Sequence, residues 1–172
     1  MQLNYLNKPH FENGAIKSIS QVLEEHGIKN PLICTDPGLA NIGMSDMIRN
    51  LLSNELSPSF YEDTPANPTE QAVNDALEIY KQNGCDGVVG FGGGSSMDLA
   101  KTVALMANHE GNVVDYSVNE GGVGKINQTM PMIAIPTTSG TGSEVSLGAV
   151  IIMNDGRKLI LASDYLRPTA AI

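Results

Sequence analysis

Three short stretches hold residue types from which chemistry can be built. The first reads DGVVGFGGGSSMDLAKTVALMAN from Asp86 to Asn108. Val88 to Phe91 has the length and β-branched content of a buried strand. Gly92, Gly93 and Gly94 follow, and Ser95 opens a helical pattern carrying Met97, Leu99, Ala100, Val103, Ala104 and Met106. Strand, glycine turn and helix start together make an anion site. Glycines let the backbone approach a phosphate closely, and the free N–H groups and dipole of the helix favour negative charge. A plainer reading uses the same residues. Ser95 and Asp98 have the spacing of a capping box, and the glycines can make a tight turn. The spacing is not G-x-G-x-x-G, so the usual dinucleotide fingerprint is absent.

The second stretch follows the apolar run PMIAIP, Pro131 to Pro136. It reads Thr137-Thr138-Ser139-Gly140-Thr141-Gly142-Ser143-Glu144. Hydroxyls and backbone N–H groups at this density can reach phosphate, ribose or carboxamide oxygens. They also suit a solvated turn. The third is Asp36, at the end of the apolar run PLICT and ahead of Pro37 and Gly38. A carboxylate at the carboxyl end of an early strand can accept hydrogen bonds from a ribose diol and would repel a 2′-phosphate. Asp-Pro-Gly is equally a common turn and helix start.

The elements around these stretches alternate. Gln2 to Leu6 is a candidate strand. Asn13 can cap a helix running to about His26, with Ile16, Ile19, Val22 and Leu23 on one face and Gly27 closing it. Pro31 to Thr35 is a strand, followed by one helix carrying Leu39, Ile42, Met47, Ile48 and Leu51. Leu56 to Tyr61 is a third strand. Asn67-Pro68-Thr69 leads into a helix from Glu70 to about Asn83, closed by Gly84. Glu110 to Gln128 is expected as a polar surface loop with a short helical turn. Ala149 to Met153 and Lys158 to Ala162 flank Asn154-Asp155-Gly156 as a β-hairpin, with Lys158 just past the turn. This βαβαβα order predicts an α/β domain: a mostly parallel, Rossmann-like sheet with helices on both faces, plus the hairpin. Ligands in such sheets bind at the carboxyl ends of the strands. After Leu166 the chain reads RPTAAI, a strand-like run at the last residue, as expected of a domain cut from a longer protein.

Composition sets the outer limits. With 172 residues and 41% hydrophobic content, the chain can bury a core. Its net charge of -9 argues against nucleic acid, whose phosphates need a basic face. No apolar run is long enough for a membrane span, and the N-terminus lacks the n- and h-regions of a signal peptide. Cys34 and Cys85 have no metal-ligand spacing and read as buried, reduced thiols, so a cytoplasmic protein is expected.

Taken together, the motifs resemble the N-terminal nucleotide-binding domain of the iron-containing (group III) alcohol dehydrogenases, which share a fold with dehydroquinate synthase and glycerol dehydrogenase. The resemblance spans nearly all of residues 1–172. It rests on FGGGSSMDLAK from Phe91 to Lys101 and IPTTSGTGSEV from Ile135 to Val145, with Asn67-Pro68-Thr69 and Asp36 in support. It implies roles by position. Asp36 would bind the adenosine ribose and favour NAD over NADP. Gly93, Gly94 and Ser95 would hold the pyrophosphate, with Asp98 near the nicotinamide end. Asn67, Thr137, Thr138 and Thr141 would line the cleft, and Val150 and Lys158 would approach the nicotinamide. Gly148 departs from relatives that carry a polar side chain near the substrate. The family's C-terminal all-helical domain, which supplies a metal site from an aspartate and three histidines, is absent from this chain. His10, His26 and His109 do not match those ligands; His26 and His109, at helix ends, suit cation–dipole placement.

The resemblance therefore implies the cofactor domain of an NAD-dependent alcohol dehydrogenase. Its substrate would be a small alcohol or aldehyde, its state a homo-oligomer such as a dimer. Fe2+ or Zn2+ would belong only to the full-length enzyme, leaving this fragment inactive alone. The alternatives are a nucleotide-binding module without catalysis and a dehydroquinate synthase-like lyase.

Overall fold

The computed structural model describes residues 7–172. Its elements in chain order are β1 (Lys8–Pro9), α1 (Ile19–Glu25), β2 (Pro31–Cys34), α2 (Pro37–Asn41), α3 (Met44–Leu51) and β3 (Ser59–Tyr61). Then come α4 (Glu70–Gln82), β4 (Gly87–Gly92), α5 (Gly94–Met106), β5 (Met132–Pro136), β6 (Gly148–Ile152), β7 (Lys158–Ala162) and β8 (Ala170–Ala171). Six strands form a wholly parallel sheet in the order β1-β8-β5-β4-β2-β3, and β6 and β7 form a separate antiparallel hairpin.

Strand alternation sorts the core into two layers. Ile33, Val89, Phe91, Ile133 and Ile135 face α1, α2 and α3. Leu32, Cys34, Val88, Met132 and Ala134 face α4, α5 and the hairpin. Buried on both sides, the central strands read as continuous apolar runs rather than alternating ones. Gly90 lets α5 lie close against β4, because a Cβ there would come within 2.9 Å of the Met97 Cα.

The topology creates the crevice that matters. From β2 the chain crosses one face through α2 and α3 to the outer strand β3. From the neighbouring β4 it crosses the opposite face through α5 to β5. The connections leaving the carboxyl ends of β2 and β4 therefore diverge, which opens a switch point between them.

Several local expectations are corrected. The helix expected from Asn13 begins as a 3-10 turn at Ala15–Ser18 and becomes α-helical only at Ile19. The single helix after Asp36 is two, broken at Ile42 and Gly43, where φ is +81°. Ile42 is consequently 73% exposed instead of facing the core. The third strand is limited to Ser59–Tyr61. The candidate strand at Gln2 to Leu6 lies outside the described residues. The expected surface loop after α5 contains 3-10 turns at Val113–Tyr116, Val118–Glu120 and Gly122–Lys125, and it buries Val113, Tyr116 and Ile126. His109 anchors that loop. Its Nε2 lies 2.9 Å from the Asn127 N and its Nδ1 2.9 Å from the Leu105 carbonyl oxygen, tying the end of α5 to the loop's far end.

Candidate functional site

The glycine turn is built by backbone geometry. Gly92 sits at φ +148°, and a Cβ there would meet Ser96 Oγ at 2.5 Å, so only glycine fits. Gly93 is the N-cap of α5 and supplies no side chain to its first N–H groups. The capping box read from Ser95 and Asp98 does not form. Ser95 Oγ instead donates to the Ala66 carbonyl at 2.5 Å, and the Asp98 carboxylate points away to other partners. The N–H groups at the start of this thirteen-residue helix are thus left for a ligand.

Three segments distant in sequence converge on this turn. Asp36, at the carboxyl end of β2, places Oδ2 3.3 Å from the position of a Gly92 Cβ, across the switch-point crevice. Its other oxygen, Oδ1, accepts the Leu39 N–H at 3.1 Å and caps α2. The hydroxyl-rich loop after β5 arrives from the other side. Thr137 N–H donates to the Gly92 carbonyl at 2.9 Å. Thr138 Oγ1 lies 3.6 Å from the position of a Gly93 Cβ, and Thr141 Cβ lies 3.5 Å from that of Gly94. The third segment is Ala66 to Thr69. Ser95 holds its start, the Ile152 N–H donates to the Pro68 carbonyl at 2.9 Å, and Lys158 Nζ reaches Asn67 Oδ1 at 3.5 Å. Asn67, Thr137, Thr138, Thr141 and Lys158 are exposed, while Asp36, Gly93, Gly94, Ser95, Asp98 and Val150 are half-buried. Asp36, Gly93, Gly94, Thr137, Thr138 and Thr141 thus gather around the glycine turn, while Ser95 ties in the segment of Asn67 with Lys158, and Asp98 ties in Val150.

Asp98 is the best-anchored of them. Its Oδ1 accepts from Ser143 Oγ at 2.7 Å and its Oδ2 from the Val150 N–H at 3.0 Å. Burial raises its pKa, and those two hydrogen bonds oppose the rise. Both oxygens are spent on the protein, so Asp98 joins α5 to the second loop and to β6.

Lys101, one turn further along α5, has no role that its place in the FGGGSSMDLAK motif reveals. It is 1% exposed. Its ammonium donates to Ser146 O at 3.0 Å, Ser146 Oγ at 3.0 Å and Gly148 O at 2.9 Å. Burial lowers its pKa to about 8, against the opposing pull of Asp98 and Glu144. The signal was available in the sequence: Lys101 occupies a position in a helix whose neighbours at Met97, Leu99, Ala100 and Val103 are all apolar.

Beside the glycine turn an open cleft of about 900 Å³ runs along the carboxyl ends of β4, β5 and β8, bordered by Phe91, Ile135, Thr137, Thr138, Met44 and Met47. Among the described residues, no group of three or more His, Cys, Asp or Glu side chains can hold a metal ion. The turn and the hydroxyl-rich loop thus offer N–H and hydroxyl groups suited to an anionic ligand, and the adjoining cleft is largely apolar.

The chain is similar in sequence and fold to known proteins. The family model described as iron-containing alcohol dehydrogenase matches residues 7–172. The 4-hydroxybutyrate dehydrogenase of Cupriavidus necator is 44% identical over 98% of this chain and 44% of its own length. A solved 1,3-propanediol oxidoreductase superposes with a TM-score of 0.91 at 28% identity, over 100% of this chain and 45% of its own. The sulfoacetaldehyde reductase of Bifidobacterium kashiwanohense, solved in complex with NAD+, gives a TM-score of 0.88 at 29% identity, over 100% of this chain and 46% of its own. The chain spans less than half the length of these relatives. With a family model covering residues 7–172, the chain belongs to the iron-containing alcohol dehydrogenase family.

Proposed function

We propose that residues 1–172 are the cofactor-binding unit of a longer, metal-dependent alcohol dehydrogenase, positioning NAD for hydride exchange with a small alcohol or aldehyde. The observation that carries this reading is the meeting of Asp36, the Gly92–Gly94 turn and the Thr137–Thr141 loop at the switch point. The uncapped N-terminus of α5 suits a pyrophosphate, and Thr138 offers a hydroxyl donor opposite it, while Thr141 presents its methyl to Gly94 and gives its hydroxyl to Glu144. Asp36 accepts from a ribose diol and repels a 2′-phosphate, which favours NAD over NADP. Asn67, Val150 and Lys158 border the region beyond Asp98, on the nicotinamide side. When bound, the nicotinamide supplies the hydride acceptor or donor, and the residues of this chain bind and orient it.

The donor set for Fe2+ or Zn2+ is not found among the described residues, so no step through a metal is assigned to them. The family relationship supports a metal held outside residues 1–172. The free, buried Cys34 and Cys85 support a reducing, cytoplasmic setting. The apolar lining of the open cleft supports a protein that covers this face, within a homo-oligomer.

The test is calorimetric titration of the chain with NADH and NADPH, alongside NADH formation from short diols and primary alcohols with added iron or zinc. Binding that prefers NADH, with no turnover by this chain alone, is expected. No affinity for either nucleotide would refute the cofactor reading. Metal-dependent turnover would mean that these residues hold a catalytic centre.

A further inference from the structure

We propose that Lys101, which does not itself line the cleft, is a positioning residue whose ammonium holds the 143–150 segment in the form that binds the nucleotide. This inference rests on the cofactor reading above.

The segment from Ser143 to Val150 links the hydroxyl-rich loop to β6. Ser146 and Leu147 within it are exposed and Ala149 is buried only once β6 has begun, so the stretch ahead of β6 gains little from apolar burial. Two residues of α5, one turn apart, hold it. Asp98 takes Ser143 Oγ and the Val150 N–H. Lys101 takes both oxygens of Ser146 and the Gly148 carbonyl. The segment is also supported by Asn7, whose side chain donates to the Glu144 carbonyl at 2.8 Å, by bonds back to Thr141 and Gly142, by the Ser163 N–H on the Leu147 carbonyl at 3.0 Å and, from Gly148 onward, by pairing with β7, so Lys101 acts on the turn at Ser146 just ahead of that pairing. Thr141, opposite Gly94, precedes the held segment, and Val150 ends it. A shift at Ser146 and Gly148 therefore reaches Thr141, beside the glycine turn, on one side and Val150 on the other.

The three acceptors around Lys101 match the three N–H donors of an ammonium. A neutral amine has two donors and a lone pair, so deprotonation removes the charge from all three contacts and leaves Ser146 Oγ to turn its own proton to that lone pair, while the two carbonyls keep only uncharged donors. The charged groups facing Lys101 are Asp98 from α5 itself and Glu144 from the loop, with Lys158 of β7 acting on Asp98. Because burial sets the lysine's pKa at about 8, this loss falls within an accessible pH range.

Two measurements test the role. The first is NADH affinity, read from nicotinamide fluorescence between about pH 7 and about pH 9.5, for the wild type and Lys101→Met. The wild-type dissociation constant is expected to rise about fivefold across that range, as the charge is lost from these contacts. Lys101→Met is expected to bind about tenfold more weakly at neutral pH, with a flat profile. A wild-type affinity that does not change with pH overturns the proposal, and needs no variant to fold. So does a folded Lys101→Met with wild-type affinity. The second measurement is amide exchange without nucleotide, where Lys101→Met should lose protection at residues 143–150 and keep it in β2 and β4. If NADH fails to bind even the wild type, the cofactor reading falls. Unchanged exchange in 143–150 would overturn the positioning role independently.

Discussion

Asp98 Oδ2 accepts the Val150 N–H at 3.0 Å, and so fastens the first turns of α5 to the hairpin strand β6. Its other oxygen holds Ser143, so one carboxylate sets the distance between the glycine turn and two later segments. Asp98→Ala should leave a buried N–H and hydroxyl unpartnered and cost about 2 kcal/mol of stability. Asp98→Asn keeps an acceptor for Val150, and its amide can donate to Ser143, so it should cost less than the alanine variant. Chemical denaturation of both variants checks the order. Equal losses would mean that the hydrogen bonds contribute nothing beyond packing.

Asp36 serves two ends, and a test must separate them. Its Oδ1 caps α2 through the Leu39 N–H at 3.1 Å, while Oδ2 faces the glycine turn. Asp36→Ser keeps a capping oxygen and removes the charge, so helix stability should be nearly unchanged. The NADH-over-NADPH preference should narrow by about 1–3 kcal/mol as the ribose contact and the repulsion of the 2′-phosphate are lost. Affinities for the two cofactors that keep their ratio would remove Asp36 from the site.

Two neighbouring glycines should respond in opposite ways. Gly92→Ala places a methyl group 2.5 Å from Ser96 Oγ at φ +148°, so thermal stability should fall sharply. A Cβ at Gly94 makes only an ordinary 3.5 Å contact with Thr141. Gly94→Ala should therefore fold like the wild type yet lose NADH affinity, because its methyl occupies space needed for close approach of phosphate. Unaltered affinity in Gly94→Ala would return this turn to a purely structural role.

The pH dependence of stability carries a sign that Lys101 sets. Its pKa in the folded chain, about 8, is below the ordinary lysine value of 10.5. Below pH 8 it is charged in both states, and the fold bears the cost of burying that charge. Between the two values the unfolded chain keeps the proton that the folded chain has released, so stability rises with pH. The wild type should gain on Lys101→Met by up to about 3 kcal/mol across this window. Parallel denaturation curves at several pH values measure the gain, and a gap that shrinks instead would contradict the burial of a charged amine. Stability and NADH affinity should then move in opposite directions as pH rises, which loss of fold alone cannot produce.

The glycine turn, the hydroxyl-rich loop and Asp36 could be read directly in the sequence because their chemistry is local. A strand that ends in Gly92, Gly93 and Gly94 ahead of an apolar helix has few uses, and a threonine-rich loop after a buried strand can hardly be core. The α/β class was equally readable, since helical and strand-like runs alternate with short connections. The break at Gly43 was not, because Leu39, Met47 and Ile48 keep helical spacing across two separate helices, and only packing on the sheet shows Ile42 turned outward. The strand order and the crevice between β2 and β4 also belong to tertiary structure, because parallel strands pair across long crossovers that leave no local trace. The same holds for Asp98 and Lys101. The spacing of Asp98 from Ser95 suggests a helix cap and nothing local gives Lys101 a role, but their partners lie more than forty residues away, at Ser143, Ser146, Gly148 and Val150. A buried charge is tolerable only where such partners meet it, and that meeting is decided by the fold.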